Sequence, residues 1–228
     1  MHLLNRMTLC VMITATTALQ SVEADELISL KYGEVVVNLD VNQVPELKDW
    51  GIKAANLALE WHPRICNLIS TKGVAPANEL SIRLIESEEG IASTQGTVIT
   101  ISSRWIKNHP DDLGLVIHEL AHVIQGYPEG NPWWVTEGIA DYVRNVVFEG
   151  KSQQLFAVPL DEKGYLQGYN TAAGFLFWLE SDLAPGIVRR LNTSIRNRKY
   201  SDVVFKELTG QSLDELWDTY CQENITKR

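Results

Sequence analysis

The sequence is short of positive charge. Lysine and arginine total 20 against 29 aspartates and glutamates, a formal net charge of −9. That balance excludes the basic footprint of a nucleic-acid-binding surface. Cysteine occurs only as Cys10, Cys66 and Cys221. Once an N-terminal segment is lost, Cys66 and Cys221 can form one disulfide in an oxidising compartment or remain two buried thiols. No internal repeat is found, which excludes a solenoid or propeller. Two further absences restrict any metal chemistry: no methionine follows Met12, and no histidine follows His122. What remains is ordinary for a globular protein, 45% hydrophobic and 21% charged. A chain of 228 residues can bury one sizeable core.

Residues 1–24, MHLLNRMTLCVMITATTALQSVEA, have the layout of a secretory signal. Arg6 precedes an apolar run from Met7 to Leu19, and Val22-Glu23-Ala24 offers a cleavage point. The run is too short and too rich in threonine to span a bilayer well. The expected mature chain is 25–228, secreted or periplasmic, with no stable membrane insertion. Asn192-Thr193-Ser194 and Asn224-Ile225-Thr226 are glycosylation sequons.

LISLKY and EVVVNL, between Leu27 and Leu39, are rich in β-formers and predict one or two strands. Residues 45–70 carry a helical pattern. LSIRLI and TVITIS predict strands, joined by ESEEGIASTQG. From Asp111 onward the signals are mainly helical, punctuated by Gly126, Gly150 and Gly210. Strands first and helices after predict an α+β fold: a small mixed sheet packed on helices, in one domain over 25–228.

The most informative stretch begins HELAHVIQ. Asp111 is a candidate N-cap. Leu113, Val116, Ile117, Leu120 and Ile124 then form an apolar stripe at helical spacing. His118, Glu119 and His122 lie off that stripe. Residues four apart share a helix face, so both imidazoles can reach one ion. Zinc takes imidazole nitrogen at about 2.0–2.1 Å, and Glu119 stands beside it to face a hydrolytic water. Chance would give this H-E-x-x-H pattern in about one such chain in a hundred, which favours a site over two stray surface histidines.

A third ligand is needed. His62 and His109 lie upstream beside prolines and are expected on the surface or in loops. Without a downstream histidine or methionine, and with Gln125 and Pro128 at the metzincin glycine and histidine positions, that subclass is excluded. A carboxylate remains. Asn131 and Pro132 predict the start of a second helix reaching about Phe148. Glu137 and Asp141 share one of its faces, Glu137 as ligand and Asp141 as the acceptor holding a ligand histidine by its other nitrogen. Glu129, in a Gly/Pro turn, is the rival ligand.

HELAHVIQ followed by WWVTEGIADYVR resembles the basic secretory protein family, plant and bacterial peptidases with a thermolysin-like zinc site. NQVPELKDWGIKAANLALEWHPRI, GIASTQGTVITISSRW, GYNTAAGFLFWLE and LDELWDTY are similar to its other segments, so the resemblance covers most of the mature chain. It implies a zincin-like gluzincin fold, zinc held by His118, His122 and Glu137, and Glu119 as catalyst. The acidic charge sets this chain apart from the basic members that the family name records.

The expected activity is a zinc metallopeptidase acting on peptide or protein substrates, with Glu119 as general base. Charge on the tetrahedral intermediate calls for a further donor. Related zinc peptidases carry a tyrosine at the head of such a helix, and the similarity points to Tyr169, with Tyr165 and Tyr142 as alternatives. Gly90 to Thr94 can offer a sheet edge to substrate or be a simple connection. Trp133 and Trp134 can line a subsite, with core burial the favoured reading; Arg144 can pair with Asp141; and Glu86 to Glu89 form a solvated turn, with a second metal site there as the weaker alternative. The competing reading is a non-catalytic metal-binding or interaction domain, against which the intact Glu119 counts. An aminopeptidase would need an acidic anchor for the substrate amine, and no such motif is evident.

Overall fold

The structure, a computed structural model, describes residues 27–159 and 161–225, with side chains described to 224. The expected signal segment 1–24 lies outside the described residues. Five strands form one mixed sheet in the order β1-β2-β3-β5-β4. They are β1 (Ile28–Tyr32), β2 (Val35–Asp40), β3 (Glu79–Ile85), β4 (Ala92–Gln95) and β5 (Val98–Ser102). The central strands β2, β3 and β5 are parallel, while β1 and β4 run antiparallel on the two edges.

Alternation along the central strands sets the packed face. Val37 and Leu39, then Leu80, Ile82 and Leu84, then Ile99 and Ile101, are all buried. Side chains two apart share a face, so these residues form one apolar layer. Helix α1 (Lys48–Leu68) packs on it after β2. Gly51 permits the approach: a Cβ there would stand 3.0 Å from Leu39 Cδ1.

After a short α2 (Ser103–Asn108), α3 (Gly114–Gln125) packs against α1 and along β4. Almost every residue of α3 is buried, and Gly126 ends it in the left-handed region at φ 45°. Asp111 is not its N-cap. The helix starts at Gly114 from Leu113, with no side-chain cap. Asp112 is committed elsewhere, accepting from Trp105 Nε1 and from Arg144.

Helix α4 (Trp133–Asp141) begins one residue later than expected, because Asn131 uses its side-chain oxygen to accept from the Thr136 hydroxyl. The backbone continues beyond Asp141 in a π-helical turn, Tyr142–Phe148, to the expected end point. Then come α5 (Tyr169–Trp178), α6 (Ile187–Arg196), α7 (Val203–Thr209) and α8 (Leu213–Ile225). Phe175, Trp178, Trp217 and Tyr220 knit α5 to α8, with ring centroids 5.3 to 6.0 Å apart.

The structure decides between the two alternatives for the cysteines, adds the burial of the sequons, and corrects the expected surface or loop placement of His62. Cys66 and Cys221 are free thiols. Cys66 lies 3.6 Å from His62 Nδ1, and Cys221 lies 3.8 Å from the Pro159 carbonyl. Both sequon asparagines are buried. Asn192 donates to the Ile69 carbonyl and accepts from Tyr127, and Asn224 donates to the Tyr220 carbonyl. His62 is a buried residue of α1, bonded through Nε2 to the Ala77 carbonyl. Among the described residues no helix is long and apolar enough to cross a membrane.

Close packing of α4 on α5 depends on Gly138, where a Cβ would meet Ala172 Cβ at 2.7 Å. Gly138→Ala is expected to destabilise the fold by about 1–3 kcal/mol through overpacking. Denaturant unfolding measures it, and wild-type stability would show that α5 yields without cost.

Candidate metal centre

Helix α3 and helix α4 cross behind the sheet edge and bring three side chains to one point. His118 Nε2 and His122 Nε2 are 3.0 Å apart. Glu137 Oε2 lies 3.3 Å from the first and 3.4 Å from the second. Among the described residues, these three form a group that could hold a metal ion. Glu129 is exposed on the turn before α4 and is not part of it, and neither are His62 and His109. His109 stacks on Trp105 with ring centroids 3.8 Å apart.

The far side of each imidazole fixes its tautomer. Asp141 Oδ1 lies 2.7 Å from His118 Nδ1. An ionised carboxylate only accepts, so Nδ1–H donates and Nε2 is the nitrogen that faces the cluster. Gln125 does the same for His122. Its Nε2 donates to the Thr136 carbonyl at 3.0 Å, which turns Oε1 toward His122 Nδ1 at 2.7 Å. Gln125 is almost wholly buried, so the amide has little room to flip. Sequence reasoning used Gln125 only to exclude metzincins. Its three-residue spacing from His122 was the available signal.

Charge follows from this packing. Burial alone would lower the His118 pKa, but hydrogen bonds with Asp141 and Glu137 outweigh it and raise the ring to about 9. Burial alone would raise Glu137, but hydrogen bonds from His118 and His122 outweigh it and lower the carboxyl to about 2. The cluster thus binds positive charge where solvent is scarce.

The donor set fits a small divalent ion. Bonds of about 2.0–2.1 Å at the tetrahedral angle separate ligand atoms by about 3.3 Å, near the three separations seen here. Two imidazoles and one carboxylate are a donor set that zinc can take, as can other first-row divalent metals.

Glu119 is buried on α3 beside the two histidines. Its Oε2 accepts from the Thr94 hydroxyl on β4 at 2.7 Å. Sequence reasoning missed Thr94, since ASTQ lacks the apolar alternation of a strand. Residues 92–95 are nevertheless the edge strand β4, joined to β5 as an antiparallel hairpin across Gly96 and Thr97.

A cleft of about 740 Å³ opens over the cluster, walled by β4, α3, α4 and Tyr169. Tyr169 begins α5 at φ 43°, half exposed, with its ring stacked over His118 at 6.1 Å between centroids. Burial, then the charges of Glu137, Asp141 and Glu119, raise its pKa, so the hydroxyl keeps its proton. Tyr165 and Tyr142 are buried, and Tyr165 donates to Asp214. Trp134 is buried as expected, whereas Trp133 is half exposed, edge-on to Tyr169 at 5.5 Å. Arg144 does not pair with Asp141. It bonds Asp112 at 2.8 Å and Glu149 at 3.1 Å, while Asp141 turns to His118.

Fold and site together define a peptidase-like α+β scaffold built around a His-His-Glu donor group. The family model described as "Peptidase of plants and bacteria" matches residues 58–220, and the chain belongs to that family. Among solved structures, the crystal structure of an M1 zinc metallopeptidase from Deinococcus radiodurans is similar. It superposes with a TM-score of 0.50 at 15% identity, over 86% of this chain. The chain spans about half of that structure's length, 49%. At this identity the likeness is one of fold. No curated protein matches the sequence.

The His118 shift has a signed consequence for the metal-free protein. Its folded pKa of about 9 stands above the ordinary 6.5. The stability contributed by the protonated ring is therefore complete below pH 6.5 and is lost as pH rises toward 9. The melting-temperature advantage of wild type over His118→Asn should shrink across that interval. An advantage independent of pH there would refute the assignment.

Proposed function

We propose that the protein is a secreted zinc-dependent metallopeptidase of gluzincin type, with residues 25–228 as one zincin-like domain. The observation that carries the reading is the convergence of His118, His122 and Glu137 at the floor of an open cleft, with Glu119 beside them. Family membership supports peptide or protein substrates. Secretion rests on the composition of residues 1–24.

His118, His122 and Glu137 hold the ion; Asp141 and Gln125 hold the two rings. When bound, zinc acts as a Lewis acid that lowers the pKa of water toward about 7 and polarises a carbonyl oxygen. Glu119 accepts the proton of the attacking water as its oxygen bonds to the peptide carbon. Glu119 then delivers that proton to the amide nitrogen, and the C–N bond breaks to give an acid and an amine. The Tyr169 hydroxyl donates to the carbonyl oxygen as negative charge gathers there. Substrate backbone adds to the free edge of β4, extended along the cleft.

Metal analysis paired with peptide-library cleavage tests the reading. Wild type and Glu119→Gln should both bind one zinc, while Glu119→Gln lowers kcat by about 10²- to 10⁴-fold. Glu137→Gln should weaken zinc binding in a chelator competition. Zinc bound without Glu119-dependent cleavage would instead mark a binding domain on a peptidase scaffold.

Tyr169→Phe separates the oxyanion role from packing. It should lower kcat by about 10²- to 10³-fold with zinc retained. An unchanged turnover number would remove Tyr169 from the mechanism.

A further inference from the structure

We infer that Thr94 is a positioning residue for Glu119, tying the general base to the strand on which substrate lies; this rests on the peptidase reading above. The Thr94 hydroxyl is 2.7 Å from Glu119 Oε2 and 3.1 Å from the Glu119 backbone carbonyl. Both are acceptors, so the single hydroxyl proton is shared between them. Among the described residues, Thr94 is the hydrogen-bond partner of the Glu119 carboxylate.

The geometry follows from strand periodicity. Along β4, Ala92 and Thr94 are half buried, while Ser93 and Gln95 are exposed. Thr94 therefore faces α3 from an edge strand that pairs only with β5. Its register is fixed by Thr94 opposite Ile99, whose side chain is fully buried in the core. A slip by one residue would turn Thr94 outward and present an exposed neighbour to Glu119.

The bond does two things for a proton carrier. It holds a flexible glutamate in one of its rotamers, and it occupies Oε2, leaving Oε1 to take and release the proton. Orientation of this kind contributes to rate, because misplacement of a reacting group by even 1 Å is costly. Substrate and base then share one structural reference, β4.

The test compares Thr94→Val, which keeps the shape and loses the hydroxyl, with Thr94→Ser, which keeps the hydroxyl. Full-length zinc-loaded protein is assayed on an internally quenched peptide from the library screen. Thr94→Val should lower kcat about 10- to 100-fold, with KM, zinc content and melting temperature near wild type. Thr94→Ser should recover most of the loss. Crystals of metal-free Thr94→Val should show the Glu119 carboxylate displaced. Should Thr94→Val fail to fold, Thr94→Ala takes its place with the same expectation. Wild-type kcat in Thr94→Val, an equal loss in Thr94→Ser, or a loss confined to KM would overturn the inference and leave the peptidase reading standing. A wild type no more active than Glu119→Gln would overturn both.

Discussion

The site depends on two hydrogen bonds made on the sides of the imidazoles that face away from it. Asp141 accepts a hydrogen bond from Nδ1–H of His118, and Gln125 accepts one from that of His122. Each ring then has only Nε2 left to face inward, and the two nitrogens meet at 3.0 Å. Two lone pairs at that separation repel unless a positive charge lies between or beside them. Glu137 strengthens the demand by adding a carboxylate to the same point. A proton meets it in part; a divalent ion meets it fully. The outer hydrogen bonds orient the two rings so that, with Glu137, the cluster is a place for a cation.

Those bonds are held by helix packing. His118 and Asp141 sit on different helices, 23 residues apart in sequence. Their relative position is set where α3 crosses α4 and α4 lies on α5. Gly138, between Glu137 and Asp141, brings α4 within reach of Ala172. The sheet anchors the other side: its apolar layer carries α1, α1 carries α3, and β4 closes the cleft. The resulting site is closely packed below and open above.

Much of this was legible in the sequence where periodicity and chemistry coincide. His118, His122, Glu137 and Asp141 each pair four apart on an amphipathic helix, and helical spacing alone brings such pairs to one face. The α+β order was legible too, because four strands carry apolar alternation. What escaped was tertiary in origin. Strand β4 is ASTQ, short and mostly polar, and is a strand because β5 offers it a free edge. Thr94 meets Glu119 across 25 residues, with no local pattern to announce it. Arg144 has Asp141 within helical reach yet turns to Asp112, 32 residues away, because His118 has already claimed Asp141. Buried sequons were invisible for the same reason: a triplet motif carries no information on solvent access.

Asn192 has a consequence for how the chain must be made. With no solvent exposure, its amide links the end of α1 to α6 through Ile69 and Thr71, and its oxygen receives Tyr127. A sugar attached to that nitrogen while the chain is still emerging would occupy the seam between α6 and the segment after α1. In any compartment with an asparagine-linked glycosylation system, burial of this amide and modification of it are therefore rival fates of the nascent polypeptide.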